Sequence, residues 1–258
     1  MNHRLIHDNE KGYYILCLVI SVLTYIGLIL SIIGIFYVLI GLVFSVFLHG
    51  LSIGHIRSNG VKLTEKQFPL IYNRTKMVAD KMNVKEIPAI YIIQSDGILN
   101  AFATRFFGRN FIVLYSDIVE LAEEGYDAEL DFVIAHELAH IQRKHLTKNL
   151  LILPARWIPF LGDAYSRACE FTCDRMATSY INNPTAAINA LTVLAVGKKL
   201  FTQVNIEEFI NAAREETGLF LWLSQVLSTH PPLPKRITEV QQIRNYPEMY
   251  GLVRAATS

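Results

Sequence analysis

The sequence predicts a mainly helical α+β domain held behind an N-terminal membrane hairpin. Three observations point there. Residues 13–48 contain no charged side chain. Residues 88–116 are rich in Ile, Tyr, Phe and Val and are punctuated by turn residues, the signature of short strands. The chain after them carries helical apolar spacing. The totals agree. Of 258 residues, 52% are hydrophobic and 18% charged, and the mean hydropathy is +0.29. That is too apolar for an ordinary soluble domain and too charged for membrane spans alone.

The uncharged run comes first. As one straight helix, residues 13–48 would be about 54 Å long at about 1.5 Å per residue, whereas the hydrocarbon core is about 30 Å thick. Two short spans within about 13–51, turning at the "SIIG" of residues 31–34, fit better than one heavily tilted helix. The run is too long for a cleaved signal peptide and lacks a small-residue cleavage site. A hairpin leaves both ends on one side. Arg4 and Lys11 precede it, and Arg57 and Lys62 follow it. The positive-inside rule then places both ends in the cytoplasm. The expectation is a multi-pass cell-membrane protein with an anchor over 1–62 and a cytoplasmic domain over 63–258, in contact with the lipid bilayer.

Within the domain, "TEKQ" at 64–67 resembles a capping box opening a helix that runs to about Met82. Turn signals at 95–97 and 108–110 divide 88–116 into three short strands joined by two hairpins. Ser116 can cap a short helix, and Asp127 a long one reaching about Asn149. A further helix runs from about Asp163 to Asn182, stopped by Asn183-Pro184. Two broken apolar stretches, 150–162 and 219–227, are too short to span and are read as core. The membrane interface is the alternative for both, through Trp157 and Phe160 in the first. The net charge of +1 gives no reason to expect a nucleic-acid partner. Cys17, Cys169 and Cys173 form no disulfide or zinc-knuckle framework, fit a reducing compartment, and read as helix-packing residues.

The chemistry lies in "VIAHELAHIQRKH", residues 133–145. His136 and His140 are four residues apart, so on a helix both imidazoles leave one face one turn apart. That spacing lets two ring nitrogens reach one zinc ion. Glu137, next to the first histidine, can reach water at the metal without binding the metal itself. His145 is nine residues beyond His136, about half a turn away by helical rotation. It should face away from the site, as a surface or second-layer histidine. A catalytic zinc needs a third protein ligand and an open fourth position. Glu170 and Asp174, again four apart, are the strongest candidates: Glu170 as ligand and Asp174 as partner to a ligand histidine. Taken alone, each is equally a solvated helix carboxylate.

"HELAH", then Glu170 and Asp174, then "THPPLPKRI" at 229–237 resemble the integral-membrane zinc metallopeptidases of the HtpX and CAAX prenyl endopeptidase type, over about residues 65–240. The resemblance implies a gluzincin fold, one Zn2+ per chain on His136, His140 and Glu170, and Glu137 as general base. It implies that His230 approaches the site to stabilise an oxyanion or bind substrate. It also implies that Asn100, Ala101, Phe102 and Ala103 lie in a strand pairing with the backbone of a protein or peptide substrate, as in β-addition to a sheet edge. Arg236 can pair with Asp174. One departure stands out. Such chains commonly carry further spans between the H-E-x-x-H helix and the ligand glutamate, whereas here 30 residues separate His140 from Glu170. An enclosed intramembrane chamber and prenylated substrates therefore do not carry over. The expected activity is a zinc endopeptidase acting at the membrane. The alternatives are a catalytically silent metalloprotein that binds a partner and a zymogen-like state blocked by residues 185–228.

Overall fold

A computed structural model describes residues 2–94 and 101–252. Two long apolar helices open the chain, α1 (Asp8–Leu30) and α2 (Ile32–Asn59). Ser31 between them is extended, and its side chain accepts from the backbone N–H of Gly34 at 3.2 Å. A Cβ at Gly34 would sit 2.4 Å from the carbonyl oxygen of Leu28, so the tight turn requires glycine there. Both helices are long and apolar enough to cross a membrane, and little of either is buried within the protein. Their outer ends return to one body. Cys17 of α1 packs with Ile152, Ala155 and Tyr165, while Ile53 and Ile56 of α2 pack with Tyr91, Phe111 and Val113. A hairpin is the arrangement that allows this.

The sheet contains β1 (Val61–Lys62), β2 (Ala89–Ile93), β3 (Ala101–Phe106) and β4 (Arg109–Tyr115), in the order β1-β2-β4-β3. The expectation of two hairpins is half corrected. β3 and β4 form one, closed by Phe106↔Arg109 around Phe107 and Gly108, both at positive φ, as a two-residue primed turn requires. β2 instead pairs with β4 in parallel, Ile90↔Ile112, which among the described residues leaves β3 at the sheet edge. The turn expected at 95–97 lies outside the described residues. Alternation assigns the two faces. Ile90, Ile92, Ile112 and Leu114 enter the main core, and Tyr91, Phe111 and Val113 meet the end of α2.

The helical layer comprises α3 (Pro69–Lys81), α4 (Ser116–Glu123), α5 (Asp127–Gln142), α6 (His145–Leu151), α7 (Leu153–Arg156), α8 (Leu161–Ile181), α9 (Pro184–Val196), α10 (Ile206–Glu215), α11 (Leu219–Val226) and α12 (Leu233–Asn245). α3 starts later than expected, because Thr64 and Gln67 bond each other in a turn and Pro69 takes the first helical position. The long helix expected from Asp127 to Asn149 is two helices, since Lys144 at φ 58 breaks it. α5 is buried on all sides, with Leu130, Ile134 and Leu138 fully inaccessible, so it is the central helix of the core. α8 packs along it and ends on Asn182 in the left-handed conformation. Asn183 then caps α9, with Pro184 in its first turn. The three cysteines are free and buried, as packing residues are.

The two broken apolar stretches are not core, as expected, but largely exposed. Trp157 is 84% and Phe220 83% accessible. The two prolines of the first stretch interrupt its helix into short pieces that cannot turn a continuous apolar face inward.

Candidate metal centre

α5 and α8 lie side by side and bring four residues together. His136 Nε2 and His140 Nε2 are 3.3 Å apart. Glu170 Oε2 lies 3.4 Å from the first and Oε1 3.2 Å from the second. Three donors on bonds of about 2.0–2.1 Å to a tetrahedral ion would sit about 3.3–3.4 Å apart. The two imidazole nitrogens are therefore spaced as two corners of one ion's tetrahedron, and the Glu170 carboxylate reaches both, one oxygen to each. His136, Glu137 and Glu170 are buried and His140 is partly so.

The far side of each imidazole is also engaged. His136 Nδ1 lies 2.9 Å from Asp174 Oδ1. Arg236 Nε and Nη2 donate to the two Asp174 oxygens at 2.7 Å each, and Nη1 is 3.2 Å from Glu170 Oε2. The expected Asp174–Arg236 pairing is thus present, and Arg236 also braces Glu170. Burial opposes the charge on both carboxylates, but Arg236 and the imidazoles outweigh it and hold both carboxyls below their ordinary values, Glu170 well below. Burial likewise disfavours a charged His136, yet Asp174 and Glu170 outweigh it and lift that imidazole to about 10. The carboxylates around His136 favour positive charge on that ring, and a metal ion on its Nε2 meets that need as a proton does.

His145 corrects the rotational expectation. The break at Lys144 swings it back, so that Nδ1 lies 3.0 Å from His140 Nδ1, and it is buried. It does not face away; of the two readings, the second-layer one describes it. Burial lowers its pKa to about 4 despite Glu10 nearby, so the ring is neutral. Its Nδ1 lone pair can then accept from His140 Nδ1–H, which leaves the His140 Nε2 lone pair aimed at the site. His145 Nε2 in turn is 3.4 Å from Glu10 Oε1.

Glu10 is the residue that sequence reasoning missed. It sits at the start of α1, only 1% accessible, and accepts from Arg143 Nη2 at 2.7 Å and from Thr172 Oγ1 at 2.5 Å. α1 is therefore joined to His140 through His145 and one buried carboxylate. The only local hint was an acidic residue just ahead of an apolar span. Replacing Glu10 by alanine is expected to cost about 1.5–3 kcal/mol, the scale of a charged hydrogen bond. Denaturant melts in detergent would measure it.

The ligand cluster lines a cleft of about 270 Å³, bordered also by Ala101, Phe102 and Ala103 of the edge strand β3, Glu137, Thr229 and His230. Asn100 lies outside the described residues. His230 is 64% exposed, with Nε2 3.7 Å from Glu170 Oε1. Its loop is held by Arg167, which donates to the carbonyls of Val226 and Ser228 at 2.7 Å each. Two further groupings of potential ligands, Glu10–His145–Cys169 and His140–His145–Cys173, share His145. Arg143 and Lys148 already balance Glu10 in the first of them.

A family model described as Peptidase family M48 matches residues 65–156 and 151–244, which together contain every site residue above except Glu10. A protease HtpX homolog of Halobacterium salinarum is 31% identical over 241 residues, covering 72% of this chain and 82% of that protein. The plastoglobule-localized metallopeptidase 48 of Arabidopsis thaliana is 28% identical over 221 residues, 76% of this chain; the chain spans only 63% of that relative. A protease HtpX homolog of Streptococcus pyogenes is 25% identical over 272 residues, covering 84% of this chain and 86% of its own. No solved structure matches the chain.

Proposed function

The chain belongs to peptidase family M48, and on that premise we propose that it is a membrane-anchored zinc endopeptidase acting on membrane-associated or misfolded proteins. Residues 1–62 form the anchor and 63–258 the peptidase domain, with the domain on the cytoplasmic side. The observation that supports this reading best is the convergence of His136, His140 and Glu170 at 3.2–3.4 Å, with Glu137 beside them in the same cleft. Two imidazoles and one carboxylate suit zinc.

When bound there, zinc supplies a Lewis acid that polarises the scissile carbonyl and lowers the pKa of water. The protein does the rest. The edge strand β3 receives an extended substrate by backbone pairing, with Ala101 and Ala103 leaving room for its side chains. Glu137 takes the proton from the attacking water and later delivers it to the leaving nitrogen. His230, on a loop fixed by Arg167, donates to the oxygen that gains negative charge. Asp174 and His145 keep the two ligand imidazoles in place, and Arg236 keeps Asp174 and Glu170 ionised.

The test combines metal analysis with digestion. Purified protein is expected to hold one zinc ion per chain and to cleave an unfolded protein. Chelation should abolish cleavage and added zinc restore it. A zinc-loaded protein inert on unfolded substrates would instead favour a silent binding module, and a sample that binds no zinc would overturn the metal assignment.

A further inference from the structure

The exposed apolar stretches gain meaning from where they touch α1. Charges on α1 end at Lys11, and the helix advances about 1.5 Å per residue beyond it. Lys148 lies over the Tyr14 ring, 5.3 Å from its centroid. Ala155 N–H donates to Ser21 Oγ at 3.2 Å. Cys17 Sγ lies 3.9 Å from the Leu161 carbonyl. In sequence order the chain therefore descends along α1 to the level of Ser21, about 15 Å past Lys11, and climbs back to the level of Cys17, about 9 Å past it. Gly162 permits the return: a Cβ there would sit 2.6 Å from Arg156 Cα.

At those levels α1 presents exposed apolar side chains, among them Val19, Val22 and Leu23. The dipping segment does the same, through Leu150, Leu151, Trp157 and Ile158. α11 joins this surface where Trp222 stacks on Phe160 with centroids 6.0 Å apart, and it exposes Leu219 and Phe220. The one charge in the dip, Arg156, lines the cleft. An apolar surface this continuous with a candidate span, with two tryptophans in it, has the chemistry of a lipid contact.

We propose that residues 150–160 and α11 form a wedge seated in the acyl region of the leaflet that α1 enters, and that the cleft opens at the bilayer surface. The proposal rests on the membrane reading of the hairpin. It also follows α8 upward: Leu161 lies at the level of Cys17, whereas Thr172 bonds Glu10, so Glu170 stands near the level where α1 enters lipid. On the α2 side, His49 Nε2 meets the carbonyl of Arg105 at 2.9 Å, which puts the far end of β3 at the α2 entry point. A peptide paired with β3 would then be a segment lying along, or emerging from, the membrane surface.

Trp157 and Trp222 are the only tryptophans of the chain, so emission excited selectively from tryptophan reports this surface alone. The full-length protein would be reconstituted into phosphatidylcholine vesicles brominated either near the headgroup end or near the methyl end of the acyl chain. The expected result is blue-shifted emission, loss of most of it with the headgroup-end bromines, a weaker loss with the methyl-end bromines, and little quenching by aqueous iodide. Trp157→Phe and Trp222→Phe would assign the signal to each residue. Protein that co-floats with vesicles but is quenched by iodide and not by bromine overturns the wedge while the hairpin stands. Emission reached by neither quencher also overturns it, since the surface would then be covered by a second copy. Failure to co-float overturns the hairpin and the wedge together.

Discussion

Replacing Glu137 by glutamine is expected to lower peptide hydrolysis by about 10²–10⁴-fold, the range of a general base, while leaving the metal content unchanged. The reason lies in the separation of roles along one helical turn. His136 and His140 point Nε2 into the ligand triangle with Glu170, whereas Glu137 leaves α5 about 100° around from His136 and lines the cleft beside them. Glutamine keeps the shape and loses only the ability to take a proton. Turnover of a quenched peptide or an unfolded protein, with zinc measured on the same samples, checks both halves. Unchanged turnover would remove Glu137 from the mechanism. Lost zinc would mean that it acts as a ligand.

Arg236→Met should produce the largest loss of stability. The guanidinium is 5% accessible and braces two buried carboxylates, Asp174 with two hydrogen bonds and Glu170 with a contact at 3.2 Å. Removing it leaves two anions in a dry interior. Breaking a buried ion pair by deleting one partner costs about 3–5 kcal/mol, and methionine keeps most of the volume, so the loss reports charge more than packing. Zinc, a cation in the same cluster, should offset part of it. The variant is therefore expected to be more dependent on zinc for its melting temperature than the wild type. Adding Asp174→Asn should cost less than the sum of the two single changes, because the charge left unpaired has been removed. Strict additivity in that cycle would show that the two residues act apart. Asp174→Asn alone is expected to weaken zinc binding about 10–100-fold, as loss of a ligand's supporting partner does.

Much of this site was legible because its parts are local. A four-residue spacing on a helix puts two side chains on one face whatever the rest of the fold does, so His136–His140 and Glu170–Asp174 could be paired from the chain alone. The 36-residue uncharged run likewise implied a turn, because hydrocarbon thickness is a fixed length, and the turn came at Ser31. His145 failed for an equally local reason. One helical rotation does not carry through residues 143–145, where Lys144 adopts φ 58 and resets the direction of the chain. β2 could be recognised as a strand but not given its neighbour, since propensity says nothing about which edge a strand meets. Apolarity alone points 150–162 and 219–227 to the core, because it is the same whether protein or lipid covers it.

By itself, then, the sequence determined the elements whose cause lies within one or two turns of helix or one hydrophobic thickness: the pair of long apolar helices, the two helices that carry the candidate ligands, and His136, Glu137, His140 and Glu170 as candidates. The tertiary structure decided whatever joins residues far apart in the chain. It set α8 against α5 so that Glu170 meets the histidines, brought Glu10 to His145 across 135 positions, paired β2 with β4 in parallel, and laid residues 150–160 along α1. The physical reason is that backbone geometry is written residue by residue, whereas a buried charge or an exposed tryptophan is defined only by what folding places beside it.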